Sequence, residues 1–170
     1  RDAMFVTLSI QTTTGFGTVD FDQWPEAIRI LLVFMMFIGS CAGSTSGGMK
    51  LVRWIMVVKV VLSEIATNVS PRSVRLLKLD NHVINKETSR QVLSFLALYI
   101  MLSVTGSIAV ALLMPEQSLV TSFTAAVAAL NNIGPGLELV GPTENFAGQS
   151  AAAKWVLSFL MIMGRLELFS

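Results

Sequence analysis

The chain has 170 residues, of which 53% are hydrophobic and 14% are charged, and its formal net charge is +1. This composition is typical of a membrane protein, and a net charge near zero gives no support for nucleic-acid binding. A single cysteine, Cys41, excludes a disulfide framework and a cysteine-based metal site within the chain.

The first predicted element is a short apolar helix over about Asp2 to Gln11, which leads into a segment with a G-x-G spacing. A helix of half-bilayer length that ends in a glycine turn is typical of a re-entrant pore loop. Glycine allows backbone carbonyls to point inward at angles that a β-carbon forbids, and rings of carbonyls replace the water shell of a potassium ion. We therefore predict a potassium-binding filter that contains Thr13, Thr14, Gly15 and Phe16.

The apolar span from Ala27 to Leu62 is too long for one transmembrane helix, since a straight helix would measure about 54 Å. Residues 39–48 interrupt it with four glycines and four hydroxyl side chains. Non-helical backbone at membrane depth persists only where it is buried in protein or lines a wet cavity. We predict a half-helix, an intramembrane loop that acts as a gate, and a second helix; the candidate gate residues are Gly39, Gly43, Ser44, Thr45, Ser46, Gly47 and Gly48.

Basic residues set the predicted orientation. The connection over residues 67–90 carries five Lys or Arg against two acidic residues, whereas residues 18–26 and 115–150 carry carboxylates and no Lys or Arg. The positive-inside rule makes the first stretch cytoplasmic and the other two external. Both glycine turns then open to the outer side, where acidic residues would attract cations.

The second half of the chain predicts another unit of the same kind. Val92 to Met114 is an uncharged stretch long enough to cross a hydrocarbon core of about 30 Å. A second short helix over about Leu119 to Asn131 leads into another glycine segment, and a last apolar helix starts near Ala151. The candidate filter residues here are Asn132, Ile133, Gly134 and Pro135.

An internal repeat supports two pore units. Gly15 and Gly17 match Gly134 and Gly136 at a constant offset, and the tract 34–40 aligns with 159–165, which pairs Ser40 with Arg165. Arg165 lies about 21 Å along the last helix if that helix begins near Ala151. A charge at such depth costs at least about 2.5 kcal/mol and normally faces a cavity or a partner. We predict that Arg165 is a gate latch that holds the loop closed beneath the filter.

Four motifs in this order resemble the Trk/Ktr family of potassium transporters: residues 12–17, 39–50, 131–137 and 164–169, with the turn at 70–74 as a fifth similarity. The motifs are similar to those of the third and fourth of the four pore units in that family. One position departs from the pattern, because Glu138 follows Leu137 where glycine is expected.

The resemblance implies an all-α polytopic membrane protein built from repeated helix–pore loop–helix units. Residues 1–66 would form the pore helix, filter and broken outgoing helix of one unit, residues 67–90 the cytoplasmic link, and residues 91–170 the next unit. The chain would be an internal or C-terminal portion of a multi-pass protein of the bacterial cytoplasmic (inner) membrane. Its only cofactor would be the potassium ion, with no organic cofactor. Its partners would be membrane lipid, a second copy in a homodimer and a cytoplasmic nucleotide-binding regulatory subunit of the TrkA/KtrA type.

Two alternatives remain open at this stage. A membrane-embedded serine hydrolase would use Ser44 or Ser46 as its nucleophile, but it needs a base within hydrogen-bond reach. The single histidine, His82, lies in the predicted cytoplasmic link, far from the loop in depth. A non-conducting structural membrane subunit is the second alternative, and it leaves the paired glycine segments unexplained. We expect no enzymatic activity.

Overall fold

The computed structural model describes residues 1–39, 47–69, 78–79, 82–83 and 86–166. The predicted gate residues Gly43, Ser44, Thr45 and Ser46, the turn at 70–74 and the end of the last motif at 167–169 lie outside these ranges. Six α-helices run through the described residues: α1 (Asp2–Gln11), α2 (Glu26–Met36), α3 (Leu51–Val69), α4 (Lys86–Leu113), α5 (Leu119–Leu130) and α6 (Ala151–Arg165).

The described residues include one small exception to the all-α prediction. Two strands of two residues each, β1 (Lys78–Leu79) and β2 (His82–Val83), pair in antiparallel register in the link between α3 and α4. Short 3₁₀ turns at Phe21–Gln23, Glu138–Val140 and Phe146–Gly148 complete the regular structure that is described. The fold is therefore helical, as predicted.

Among the described helices, α4 is the one long and apolar enough to cross a membrane, over Glu87–Leu113. Helix α4 itself begins at Lys86, six residues before the predicted start at Val92, because the polar turn at its start is also helical. Helix α5 is apolar but has only 12 residues, and α1 has 10. Both short helices have the bounds that the sequence predicts to within one residue.

Helix α5 forms the centre of the second half of the chain and packs against α4 and α6. Every residue from Thr121 to Leu130 is buried except Phe123, and most of these side chains are alanine, serine or threonine. Small side chains let helix backbones approach closely in a membrane. The first half of the chain is arranged around a second core cluster, which joins α1 and α2 to Val127 of α5.

The predicted interruption between α2 and α3 has defined flanks. Helix α2 ends at Met36, and the indole Nε1 of Trp54 on α3 donates a hydrogen bond to the Phe37 carbonyl, at 3.0 Å. The Gly39 N–H donates to the Met49 carbonyl at 2.9 Å, so the two ends of the interruption meet. Residues 159–165 of α6, which align with residues 34–40, remain helical to Arg165, whereas α2 ends at Met36. The two outgoing helices therefore differ over their last turn.

Candidate functional site

The two glycine segments, residues 13–17 and 132–136, lie side by side. A β-carbon placed on Gly15 would overlap the carbonyl oxygen of Ile133 and would also stand 3.2 Å from Cδ of Pro135. The contact brings main chain against main chain, and only glycine allows it. Residues that are 118 positions apart in sequence therefore meet at one place.

The same backbone geometry leads into both segments. Thr13 and Asn132 adopt left-handed conformations with φ of +55° and +54°. The Thr14 N–H donates to the Ser9 carbonyl at 2.9 Å, and the Ile133 N–H donates to the Ala128 carbonyl at 3.0 Å. These are the bonds of a Schellman motif, which satisfies the last carbonyls of a helix. The repeat is thus a repeat of backbone conformation as well as of sequence.

Residues with positive φ alternate with residues without it along each segment. Gly15 has φ of +78° and Gly134 has φ of +109°, whereas the intervening Thr14 and Ile133 do not have positive φ. Such alternation turns successive peptide planes, so carbonyls need not point to opposite sides as they do in a strand. Thr13 is β-branched, and a positive φ is strained for such a residue. Strain of this kind persists only where the surrounding structure fixes it.

Among the predicted filter residues, Phe16 has a main-chain carbonyl that accepts a side-chain hydrogen bond. The buried hydroxyl of Ser9 donates to the Phe16 carbonyl at 2.6 Å, and the Phe16 side chain is 74% exposed. The equivalent of Ser9 in the second unit is Ala128, which has no hydroxyl. The carbonyl of Phe16 is therefore bound to α1, and the two segments are anchored by different contacts.

The flanks of the predicted gate loop press against the end of α5. A β-carbon on Gly47 would overlap the Asn131 carbonyl oxygen, and one on Gly48 would overlap the Asn131 side-chain oxygen. Asn131 is fully buried; it accepts a hydrogen bond from the Tyr99 hydroxyl and donates one from Nδ2 to the Val127 carbonyl at 2.8 Å. Gly39, Gly47 and Gly48 are all buried. The described part of the loop thus contacts the residue that immediately precedes the second glycine segment.

The C-terminal end of α6 reaches the same place. A β-carbon on Gly164 would overlap the Leu130 carbonyl oxygen, and the Asn132 side chain donates from Nδ2 to the Met161 carbonyl at 3.1 Å. Arg165, the predicted latch, is the last residue of α6 and is exposed. Arg165 and the loop flanks therefore lie at the same end of α5.

A polar network lies at the opposite, N-terminal end of α5. The carboxylate of Glu138 accepts hydrogen bonds from the hydroxyls of Ser118 and Thr121, while its own N–H donates to Asp22 Oδ2 at 2.6 Å. Asp22 is also paired with Arg29, at 2.8 Å. The network joins the loop after α1 and the start of α2 to the loop after α5.

These contacts lower the pKa of Glu138. The hydrogen bond from Ser118 has the largest effect, burial opposes it, and the Thr121 hydroxyl and the Arg29 charge lower the pKa further. A carboxyl with a lowered pKa in the folded state stabilises the fold above its pKa in the unfolded chain, about 4.3. That contribution is lost as the pH falls from there through the folded-state pKa.

Sequence reasoning missed this network, the Ser9 anchor and the backbone contact at Gly164. One signal was available, because Ser118, Thr121 and Thr124 follow a spacing of three on one helix, which places their hydroxyls near one another. A second was the alignment of Gly164 with Gly39. Nothing local in the sequence pairs Asp22 with the N–H of Glu138.

Comparison with known proteins identifies the family. The family model for TrkH, described as a cation transport protein, matches residues 1–170. The chain belongs to the TrkH family. TrkH family members are transport proteins, so the chain is not assigned to an enzyme class.

Several curated TrkH proteins are similar over the whole chain. The Trk system potassium uptake protein TrkH of Salmonella typhimurium is 36% identical over 170 residues, which is 100% of this chain and 34% of that protein. The protein of the same name from Vibrio parahaemolyticus is 38% identical over 168 residues, 99% of this chain and 34% of its own length. The chain thus spans about a third of the length of these TrkH relatives.

The fold is similar to a solved TrkH structure. The crystal structure of the potassium transporter TrkH from Vibrio parahaemolyticus matches 99% of this chain and 35% of its own, with 36% identity and a TM-score of 0.88. The helical fold of the chain is therefore the fold of this part of a TrkH protein, in agreement with the family match.

Proposed function

We propose that this chain forms part of a pathway for potassium uptake across the bacterial cytoplasmic membrane. The observation that carries the proposal is the close pairing of the two glycine segments, each after a short helix with the same Schellman end. The curated TrkH relatives are named as potassium uptake proteins of the Trk system, which supports potassium as the transported ion.

In this proposal, main-chain oxygens of Thr13, Thr14 and Gly15 and of Asn132, Ile133 and Gly134 face the ion. Both short helices direct their C-terminal ends toward the segments, and the negative end of a helix dipole favours a cation. Phe16 and Pro135 complete the segments on their outer side. The Phe16 carbonyl contributes less to the ion because it already accepts the Ser9 hydroxyl.

The same proposal makes residues 39–48 an intramembrane gate at the inner end of the filter. Its support is the contact of Gly47 and Gly48 with Asn131, one residue before the second glycine segment. A change in the loop would therefore act directly on the end of α5. Homodimerisation, lipid contact and control by a cytoplasmic nucleotide-binding subunit are further parts of the proposal, and the multi-component sense of a "Trk system" supports the last of them.

The full-length gene should restore growth of a potassium-uptake-deficient bacterium in low-potassium medium. The measurement is growth rate against potassium concentration, with uptake of the ion measured in the same cells. A well-expressed protein that restores neither would contradict the proposal. It would favour a non-conducting structural subunit.

Arg165→Ala should raise potassium flux several-fold or reduce its dependence on the regulatory subunit. The reason is that Arg165 and the flanks of the loop lie at the same end of α5, so its charge would oppose the ion and hold the loop. Arg165→Lys should have a smaller effect, because it keeps the charge but loses the planar fork of donors.

Lys154→Ala is the matched control for this prediction. It also removes one positive charge from α6, but Lys154 lies at the other end of the helix and donates to the Ala147 carbonyl at 2.9 Å. We expect parental flux in this variant. Equal flux and equal regulation in the parent and in Arg165→Ala would show that Arg165 is not a latch.

A further inference from the structure

Glu138 has a backbone conformation that is unfavourable for its side chain. Its φ is +57°, in the left-handed region that glycine enters freely and other L-residues rarely enter. It lies four residues after Gly134, at the start of the 3₁₀ turn Glu138–Val140. A strained residue next to a candidate site is a reason to look for a role there.

Hydroxyl groups on one face of α5 hold this residue from one side. Ser118 caps the N-terminus of α5 by accepting the Thr121 N–H at 3.0 Å, and both hydroxyls donate to Oε2 of Glu138, Thr121 at 2.8 Å. One turn further along, Thr124 Oγ1 accepts the N–H of Leu137 at 3.1 Å. A carboxylate is also favoured near a helix N-terminus. These contacts fix the side chain of Glu138 and the main chain before it.

The first unit holds Glu138 from the other side. Asp22 accepts its N–H at 2.6 Å and is itself paired with Arg29 of α2 at 2.8 Å. Bonds between ionised groups and N–H donors are stronger than neutral ones. The left-handed φ of Glu138 allows its N–H to meet Asp22 while its side chain meets α5.

The turn that contains Glu138 is closed tightly against the second glycine segment. The Gly136 N–H donates to the Val140 carbonyl at 2.7 Å, and the Gly141 N–H donates to the Glu138 carbonyl at 2.9 Å. A β-carbon on Gly136 would stand 2.8 Å from Val140 Cγ2 and 3.0 Å from Thr124 Oγ1. A displacement of Glu138 would therefore be transmitted to Gly136 and the segment before it.

We propose that Glu138 is a positioning residue for the outer end of the second glycine segment, where it also presents a fixed negative charge that raises the apparent affinity for potassium. This inference rests on the proposed function. Its carboxylate binds two hydroxyls through Oε2 and its N–H binds Asp22, so the charge is held at one place relative to both units. A fixed charge at the mouth of a pathway raises the local concentration of cations.

The test uses the full-length protein in a potassium-uptake-deficient bacterium, with Glu138→Gln and Glu138→Gly compared with the parent. Glutamine keeps an oxygen for the two hydroxyls but removes the charge, and we expect its KM for potassium to rise about three-fold at an unchanged maximal rate. Glycine adopts positive φ without strain, so the variant should fold. Because it loses both contacts and charge, its KM should rise further and its preference for potassium over sodium should fall about five-fold.

Glu144→Gln is the matched control. It neutralises a second carboxylate in the same outer stretch, on an exposed side chain, and we expect the parental KM and ion preference. Asp22→Asn should reproduce part of the Glu138→Gly effect, and the double variant should be less than additive because both changes act on one turn.

A parent that takes up no potassium would overturn the proposed function, and with it the role of Glu138, which rests on that function. A parent that transports, with Glu138→Gly showing the parental KM and ion preference, would overturn the role of Glu138 alone. An equal rise in KM in Glu144→Gln and Glu138→Gln would also overturn it, because any outer charge would then serve. Additive effects of the Asp22 and Glu138 changes would contradict the claim that both residues act on the same turn.

Discussion

Gly15→Ala is expected to reduce potassium uptake by more than ten-fold at normal membrane expression. The new β-carbon would overlap the carbonyl oxygen of Ile133, so the two glycine segments would have to separate. The φ of +78° adds strain for any L-residue. A displaced carbonyl in an ion pathway cannot replace the water that the ion loses.

Gly134→Ala separates these two causes. Its φ of +109° is also unfavourable for alanine, but no heavy atom of the described residues lies within 4 Å of its β-carbon position. We therefore expect a smaller loss of uptake than in Gly15→Ala, with weaker discrimination against sodium.

Gly148→Ala is the control for both, because Gly148 has no positive φ, and no described residue beyond its chain neighbours lies within 4 Å of its β-carbon position. Initial rates of potassium uptake and sodium inhibition are the measurements. Parental rates and selectivity in both Gly15→Ala and Gly134→Ala would contradict the assignment of these segments as filters.

Gly164→Ala is expected to destabilise the protein strongly or to prevent its assembly. Alanine normally improves a helix interior by about 1 kcal/mol over glycine, so the usual expectation is a gain. Here the β-carbon would overlap the Leu130 carbonyl oxygen, and a main-chain atom at the end of α5 cannot rotate away. Helix α6 would have to move outward, which would break the bond from Asn132 to the Met161 carbonyl. Overpacking costs about 1–3 kcal/mol and more where the backbone must shift.

Gly106→Ala on α4 is the matched comparison. Its β-carbon would also meet α6 at a short distance, 2.6 Å, but the atom it meets is Cδ1 of Leu160, the far end of a flexible side chain. The thermal unfolding temperature of the purified full-length protein in detergent is the measurement. A lower unfolding temperature for Gly106→Ala than for Gly164→Ala would show that the contact at Leu130 does not limit the packing of α6.

The helices of this fold follow from local sequence, whereas the contacts between them do not. The short helices α1 and α5 could be predicted because an apolar run ends at a threonine or asparagine before a glycine. Helix α4 could be predicted from its length and lack of charge. The prediction missed its first turn because it used the loss of apolar character at Val92 as the start of the helix. Polar residues mark the boundary of the membrane, but a helix can continue through them.

The candidate site was predicted in part for the same reason. The glycine spacing identified both segments, but their contact at Gly15 and Ile133 depends on how α1 and α5 pack. The Glu138 network joins residues more than a hundred positions apart, so no local pattern predicts it. The sequence did show that Glu138 stands where glycine is expected, but it did not show why glycine is expected there. The positive φ of Glu138 explains why glycine is expected there, since the backbone conformation is one that glycine prefers.

The shared backbone of the two glycine segments has a consequence for how such repeats diverge. Phe16 and Pro135 occupy equivalent positions, as do Thr13 and Asn132, and these pairs have little chemistry in common. If the groups that face an ion belong to the peptide bond, selection acts on dihedral angles and leaves most side chains free to drift. An ancient duplication can then persist in conformation after its sequence identity has largely been erased.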